Sequence, residues 1–352
     1  MSTVIAEAWN GPGNQDSELT VVTPADNGLH PSDSKRAFEH WYFDARLDTG
    51  HTVVAFLTKR RPEQGAGCDP SVELIIYSPD GNKRQVNASY PKSEAHFGVD
   101  DVDVRVGPNR AWVDRSGPLP VHHAYLAEED VTFDLAFHNE LPSWMPGRGE
   151  TSYGPVDHFG WVVAAPRARV SGTVTIGDLV LDAAGIGYAD HNWGVGDMKR
   201  IIQRWHWGRL YVEDYSLLFA NVLTQKRFGH HRSQPVMLAH RDEIVLSTGD
   251  VRITEGPLVF HPGANRDYPT WLELESPGAF TLRLDVDRII DAQDLLDEIP
   301  IARSRFVKPL IHRLVGRPGY LRFDSRFELV IHGGDTDTVR TGQTLHEMVA
   351  LQ

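Results

Sequence analysis

Between Gly185 and Gly194 the chain gathers a carboxylate, an imidazole, an amide and two aromatic rings in the run Tyr188-Ala189-Asp190-His191-Asn192-Trp193, with glycines on both sides. A carboxylic acid held in an apolar site has a raised pKa, and a neighbouring imidazole or amide can orient it. Asp190 is therefore the candidate acid, with His191 and Asn192 as orienting groups. The same run also reads as a turn or bulge whose Asp and Asn satisfy local backbone while Trp193 fills core.

A second cluster, Phe38-Glu39-His40-Trp41-Tyr42-Phe43-Asp44, mixes two carboxylates with aromatics at the start of a strand. Alternation puts Glu39, Trp41 and Phe43 on one face and His40, Tyr42 and Asp44 on the other, so one carboxylate faces inward. Alternatively the rings fill a barrel while Glu39 and Asp44 pair with arginines such as Arg46. In Trp205-His206-Trp207-Gly208-Arg209 the two indoles share a face, with His206 and Arg209 expected opposite. Such a wall suits a flat or polyene ligand as well as it suits an ordinary core.

No Gly-x-Ser-x-Gly, phosphate-binding glycine loop or His-Glu-x-x-His is present. His122-His123 and His230-His231 point neighbours to opposite faces, so neither doublet builds a metal site alone, and both are expected at the surface. Neither a metal nor an organic cofactor is expected.

These clusters must be positioned by strands. From Phe38 onward, short segments rich in β-branched and aromatic residues are broken by Gly, Pro, Asn and Asp every ten or so positions. In Leu321 to Ile331, apolar Leu321, Phe323, Phe327, Leu329 and Ile331 alternate with Arg322, Asp324, Arg326 and Glu328, the period of a half-buried strand. Asp80-Gly81-Asn82 marks a turn between early strands. Helical periodicity is confined to Ala292 to Glu298 and Val307 to Val315. The fold class is all-β, as sandwiches or barrels.

At 352 residues, two domains are expected. The reading is an extended lead-in over 1–37, one barrel over 38–150 and a second over 151–352 carrying the Asp190 run. The division falls in the Pro/Gly-rich Leu141 to Gly160, which reads alternatively as a long loop over a pocket mouth. The net charge of -13 opposes nucleic-acid phosphates and anionic membrane surfaces. A single cysteine, Cys68, rules out an internal disulfide framework. With no leader-like N-terminus and no long apolar stretch, the chain is expected to be soluble and cytoplasmic, without stable membrane insertion.

Phe38 to Asp44 followed by Leu57, then Phe159-Gly160-Trp161-Val162-Val163-Ala164-Ala165-Pro166-Arg167-Ala168, then Gly187 to Gly194, resemble hydroxyneurosporene synthase (carotenoid 1,2-hydratase) in order and rough spacing. Trp207-Gly208-Arg209, Gly319-Tyr320-Leu321-Arg322-Phe323 and Thr344-Leu345-His346-Glu347-Met348 extend the likeness to the C-terminus. The resemblance implies two lipocalin-like, calycin-type antiparallel β-barrels, an architecture shared with fungal Diels-Alderases and cyclases of polyketide clusters. It also implies an acid that protonates an isolated alkene, giving a carbocation that water captures beside aromatic faces. Asp190, His191, Trp193 and Trp207 match those roles.

A further acidic position of that family, in a Tyr-x-Asp pattern, appears here as Phe219-Ala220-Asn221. Asn221 cannot serve as an acid, so a proton must come from Asp190, Glu39 or Asp44. Otherwise the reaction is pericyclic, with Asn192, Asn221, His191 or Tyr188 polarising a carbonyl. The expected substrate contacts are Tyr42, Tyr188, Trp193, Trp205, Trp207, Phe219 and Asn221. The expectation is a cofactor-independent hydratase or cyclase, of lyase or isomerase type, acting on an alkene of a terpenoid, polyene or polyketide-like molecule. The alternative is a lipocalin-like carrier of a hydrophobic ligand.

Overall fold

The alternation of Leu321 to Ile331 is realised in the strand Gly319–Ile331, whose apolar positions Leu321, Phe323, Phe327 and Leu329 are buried. The computed structural model describes residues 4–61, 68–298, 316–333 and 336–352, and its regular elements are almost all strands. Among the described residues they form two large curled antiparallel sheets, the two lipocalin-like half-barrels that the fold class called for, and a separate hairpin, Leu258–His261 with Arg266–Pro269.

The first sheet runs from Lys83–Ser89 through Ser71–Tyr77, Thr52–Arg60, Ala37–Leu47, Gly185–Val195 and His158–Ile176 to Val131–Asn139, then Val121–Glu128 and three shorter strands. The second places Ile202–Val212 between Tyr215–Thr224 and Thr338–Ala350, and continues through Gly319–Ile331 to Phe280–Asp294. Each sheet buries its own apolar face. Trp41, Phe43, Leu57, Leu74, Phe133 and Phe137 sit in the first core, and Leu210, Phe219, Leu282, Leu284 and Phe327 in the second. Burying each such side chain contributes about 1.5–3 kcal/mol.

The partition differs from the expected division at residue 150. Both His158–Ile176 and Gly185–Val195 belong to the first sheet, and the chain enters the second only after the short helix Met198–Ile201. The cause is long-range pairing: Gly185–Val195 inserts between Ala37–Leu47 and His158–Ile176, with Asp190 opposite Tyr42. The Asp190 run is therefore part of the first sheet.

Other expectations shift too. Ala292 to Glu298 is not helical in the α sense; the strand Phe280–Asp294 runs through it and ends in a 3-10 turn, Leu295–Glu298. Val307 to Val315 lies outside the described residues. The lead-in is tied down: Ile5–Ala6 pairs with Glu150–Tyr153, and the Ser247 hydroxyl of the second sheet donates to Asp16 at 2.5 Å. His122 is buried, not at the surface, and burial lowers its pKa to about 4. Gly81 adopts φ 86° in the turn joining Ser71–Tyr77 to Lys83–Ser89, as the Asp-Gly-Asn signal implies. Among the described residues no helix is long and apolar enough to cross a membrane.

Candidate active site

The alternation that sends Trp41 and Phe43 into the first core turns His40 and Tyr42 the other way, and the same holds for Val54, Phe56 and Thr58 on the next strand. Facing them across the junction are Trp205, Trp207, Ala220, Val222 and Arg322 of the second sheet. Together they enclose a cavity of about 470 Å³. It lies between the two sheets, within the range expected of a small-molecule site. The Leu141 to Gly160 stretch supplies part of its wall through Pro146, Gly149, Thr151 and Tyr153.

Asp190 and Asn192 line this cavity from Gly185–Val195. The Asp190 carboxyl is almost wholly buried and accepts three hydrogen bonds: Tyr188 Oη at 2.8 Å and Trp161 Nε1 at 3.2 Å on Oδ2, and Asn192 Nδ2 at 2.8 Å on Oδ1. Burial pushes its pKa up to about 7, against the opposing pull of the Tyr188 and Trp161 hydrogen bonds. Desolvation disfavours the anion more than these donors favour it. Asp190 can therefore carry a proton at neutral pH while its orientation stays fixed.

Next to it, Asp44 is buried and ion-paired with Arg209 of the second sheet, through Nη1 to Oδ2 at 2.8 Å and Nη2 to Oδ1. Tyr42 Oη donates to the same carboxylate at 2.7 Å. Arg209 also lies over the rings of Tyr188 at 4.7 Å and Trp207 at 5.2 Å, so it shares the tryptophan face rather than opposing it. Positions 205, 207 and 209 are related by the strand period of two, which the His206 and Arg209 pairing overlooked. Asp44 is thus consumed by an inter-sheet ion pair with Arg209, not Arg46, and is not among the cavity-lining residues.

Strand alternation removes several other candidates from the cavity. His191 points to the reverse face, stacks on Trp41 at 4.4 Å and meets Glu39 through Nε2 at 3.0 Å. Glu39 is buried there with His30; burial raises its pKa, but the hydrogen bonds from His191 and His30 outweigh this and hold it below the usual range. Trp193 also faces away, stacked on His30 at 3.7 Å. Phe219 belongs to the second core, and Asn221 is buried on the same side, where Arg232 donates to its Oδ1 at 3.3 Å. Their neighbours Ala220 and Val222 take the cavity positions. Tyr188 supports Asp190 from beneath. Tyr42, Trp205 and Trp207 line the cavity.

His30, Glu39 and His191 bring their ligand atoms within 4.8 Å of one another. Those atoms are already engaged with each other, and Lys59 Nζ stands 3.9 Å from Glu39 Oε2. We read the trio as a hydrogen-bonded brace behind the Asp190 strand. Gly160 completes that brace: a Cβ there would overlap the Trp193 indole, its partner across the strand pair. Gly160→Ala is expected to cost about 1–3 kcal/mol by overpacking, measured as a lowered urea midpoint at constant slope.

Trp161, Arg322, Tyr320 and Glu347 also line the cavity, although sequence reasoning had not selected them. Arg322 and Glu347 face each other across the strand pair Gly319–Ile331 and Thr338–Ala350, and Tyr320 Oη donates to Glu347 Oε2 at 3.0 Å. Burial raises the Glu347 pKa. Their signal was the alternation of Arg322 with Leu321 and Phe323; choosing the polar side required knowing that two sheets meet there.

No protein-family model matches the chain. It is 23% identical over 269 residues to hydroxyneurosporene dehydrogenase of Chlorobaculum tepidum, covering 64% of this chain and 67% of that one. It is 23% identical over 222 residues to the ceramide-binding protein svf1 of Schizosaccharomyces pombe, covering 58% of this chain and 57% of that one. Among solved structures it is similar to a protein described as AttH from Nitrosomonas europaea, with a TM-score of 0.62, 15% identity, and 97% and 99% of the two chains covered. CghA, solved with Sch210972, gives a TM-score of 0.60 at 15% identity over 96% and 98% of the chains. Kievitone hydratase from Nectria haematococca gives 0.55 at 15% identity over the same shares. The fold is thus shared along nearly the whole chain, and the resemblance carried by the motifs is met in both sequence and structure.

Proposed function

We propose that the chain is a hydratase or cyclase that protonates an alkene of a hydrophobic, terpenoid, polyene or polyketide-like molecule in the cavity between the sheets, with Asp190 as the acid. One observation carries the reading: a buried carboxyl, oriented by three donors and poised to titrate near neutrality, faces a cavity walled by indoles and phenols. The fold is that of kievitone hydratase, whose name carries the same chemistry.

In the proposed step, the Asp190 O–H proton goes to one alkene carbon and the π pair forms the new C–H bond. The cation left on the other carbon faces Trp205 and Trp207, whose ring faces attract positive charge. Water adds and returns a proton to the carboxylate, or a second alkene of the same molecule attacks and a later deprotonation restores Asp190. Tyr188, Trp161 and Asn192 hold the carboxyl in place. Their donors also stabilise the anion once the proton has gone.

The pH dependence follows with a definite sign. The acid is the protonated form, and its folded pKa is raised to about 7. Turnover is therefore expected to be flat on the acid side and to fall as pH rises through about 7, approaching tenfold per unit beyond it. A rate that rose across that window would assign Asp190 a base role.

A second reading, a carrier, is favoured by the likeness to a ceramide-binding protein. Native mass spectrometry of the purified protein, extraction of any bound molecule and incubation with alkenes of that class separate the two. A hydrated or cyclised product supports the enzyme; a retained, unchanged ligand supports the carrier.

A further inference from the structure

Among the described residues four cations line the cavity: Arg61, Lys83, Lys199 and Arg322. Arg61 is paired with Glu73, Lys83 meets Asp291 at 2.9 Å, and Lys199 is exposed. Arg322 differs. It is 8% exposed and makes no ion pair among the described residues. Its surroundings are rings and phenols, the guanidinium carbon standing 5.1 Å over the Tyr77 ring with Tyr42 and Tyr320 nearby.

The carboxylates that could neutralise it are engaged elsewhere. Asp44 is committed to Arg209. Glu347, directly across from Arg322, makes no ion pair with it and accepts from Tyr320; burial raises its pKa against the opposing pull of the Arg322 charge and the Tyr320 hydrogen bond. A guanidinium presents a planar fork of donors, and leaving it buried without an anion is costly. The chain's net charge of -13 gives no general attraction for anions, so this is a local feature of the cavity.

We propose that Arg322 anchors an anionic oxygen, a carboxylate, enolate or phenolate, at one end of the substrate and so determines which hydrophobic molecules the cavity accepts. The inference rests on the reading of the cavity as a site for a hydrophobic substrate, and it narrows that class to molecules with an acidic oxygen head and an apolar body. The fork holds the head, and the indole wall receives the part of the body presented to Asp190.

The test is titration of the full chain with laurate and with dodecanol, which share a chain length and differ in head-group charge, read by the fluorescence of the cavity tryptophans. Wild type is expected to bind laurate at least about tenfold tighter, the worth of a charge-assisted fork. Arg322→Met should erase that preference, so that laurate and dodecanol bind alike, while Arg322→Lys keeps part of it. Dodecanol binding doubles as the folding control, and the wild-type comparison stands alone should Arg322→Met fail to fold. Equal affinity for the two probes in wild type, or a preference that survives in Arg322→Met, overturns the role of Arg322 and leaves the cavity reading intact. Failure of both probes to bind overturns the two together.

Discussion

Asp190→Asn is expected to lower kcat by about two to four orders of magnitude, the usual worth of a positioned proton donor, while leaving ligand affinity and fold in place. The amide is isosteric with the carboxyl. Its oxygen can still accept from Tyr188 Oη and Trp161 Nε1, and a rotated Asn192 amide can meet its NH₂ group. Only the acidic proton is lost. Stability provides an independent check with the opposite sign. Because the folded-state pKa of Asp190 lies above that of an exposed aspartate, its contribution to stability falls as pH climbs from the exposed-aspartate value of 3.8 to about 7, where the loss is complete. The amide escapes that cost, so at pH 8 the variant should unfold at a urea concentration no lower than wild type. A variant that is both inactive and unstable would make the three hydrogen bonds a structural device.

The second large effect concerns the junction between the sheets. Arg209→Met removes the cation that neutralises Asp44, a carboxylate 1% exposed. Breaking one side of a buried pair typically costs about 3–5 kcal/mol, because the remaining charge is stranded. Arg209 also covers the rings of Tyr188 and Trp207, so the loss reaches the support of Asp190. Adding Asp44→Asn to Arg209→Met should recover much of the stability, since neither partner is then a buried ion. A double-mutant cycle on urea midpoints measures the coupling. A loss below about 1 kcal/mol in the single variant would mean that water screens the pair as it does on a surface.

What the residues disclosed in advance follows from how local each feature is. Strand alternation is local, so the two faces of Phe38 to Asp44 were legible: Trp41 and Phe43 lie in the core and Tyr42 lines the cavity. The Asp190 run was legible as a dense cluster, but its neighbours were grouped by proximity in sequence. A strand sends His191 and Trp193 to the face opposite Asp190, and there they build the brace with Glu39 and His30. Phe219 and Asn221 were carried over from a family pattern, and the period of two hands the cavity to Ala220 and Val222 instead.

The sheet partition had no local signal. Pairing Asp190 with Tyr42 joins segments far apart in the chain, and the Pro/Gly-rich run before it carries the short strand Glu150–Tyr153 of the first sheet and walls the cavity. Arg322 and Glu347 were hidden for a related reason: a polar residue alternating with core looks solvent-facing until a second sheet covers it. The all-β class needed none of this, because short strands and their turns are written in neighbouring residues, whereas the lipocalin-like architecture was implied by the family resemblance.

The central claim is proton transfer from Asp190 to an alkene carbon, and heavy water tests it most directly. Wild type and Asp190→Asn are incubated in deuterium oxide with the alkene that the protein converts, and the product is read by mass spectrometry and carbon NMR. The account predicts one solvent deuterium at carbon in the wild-type product and a near absence of product from the variant. Product from wild type without deuterium at carbon, or full turnover by Asp190→Asn, would contradict it.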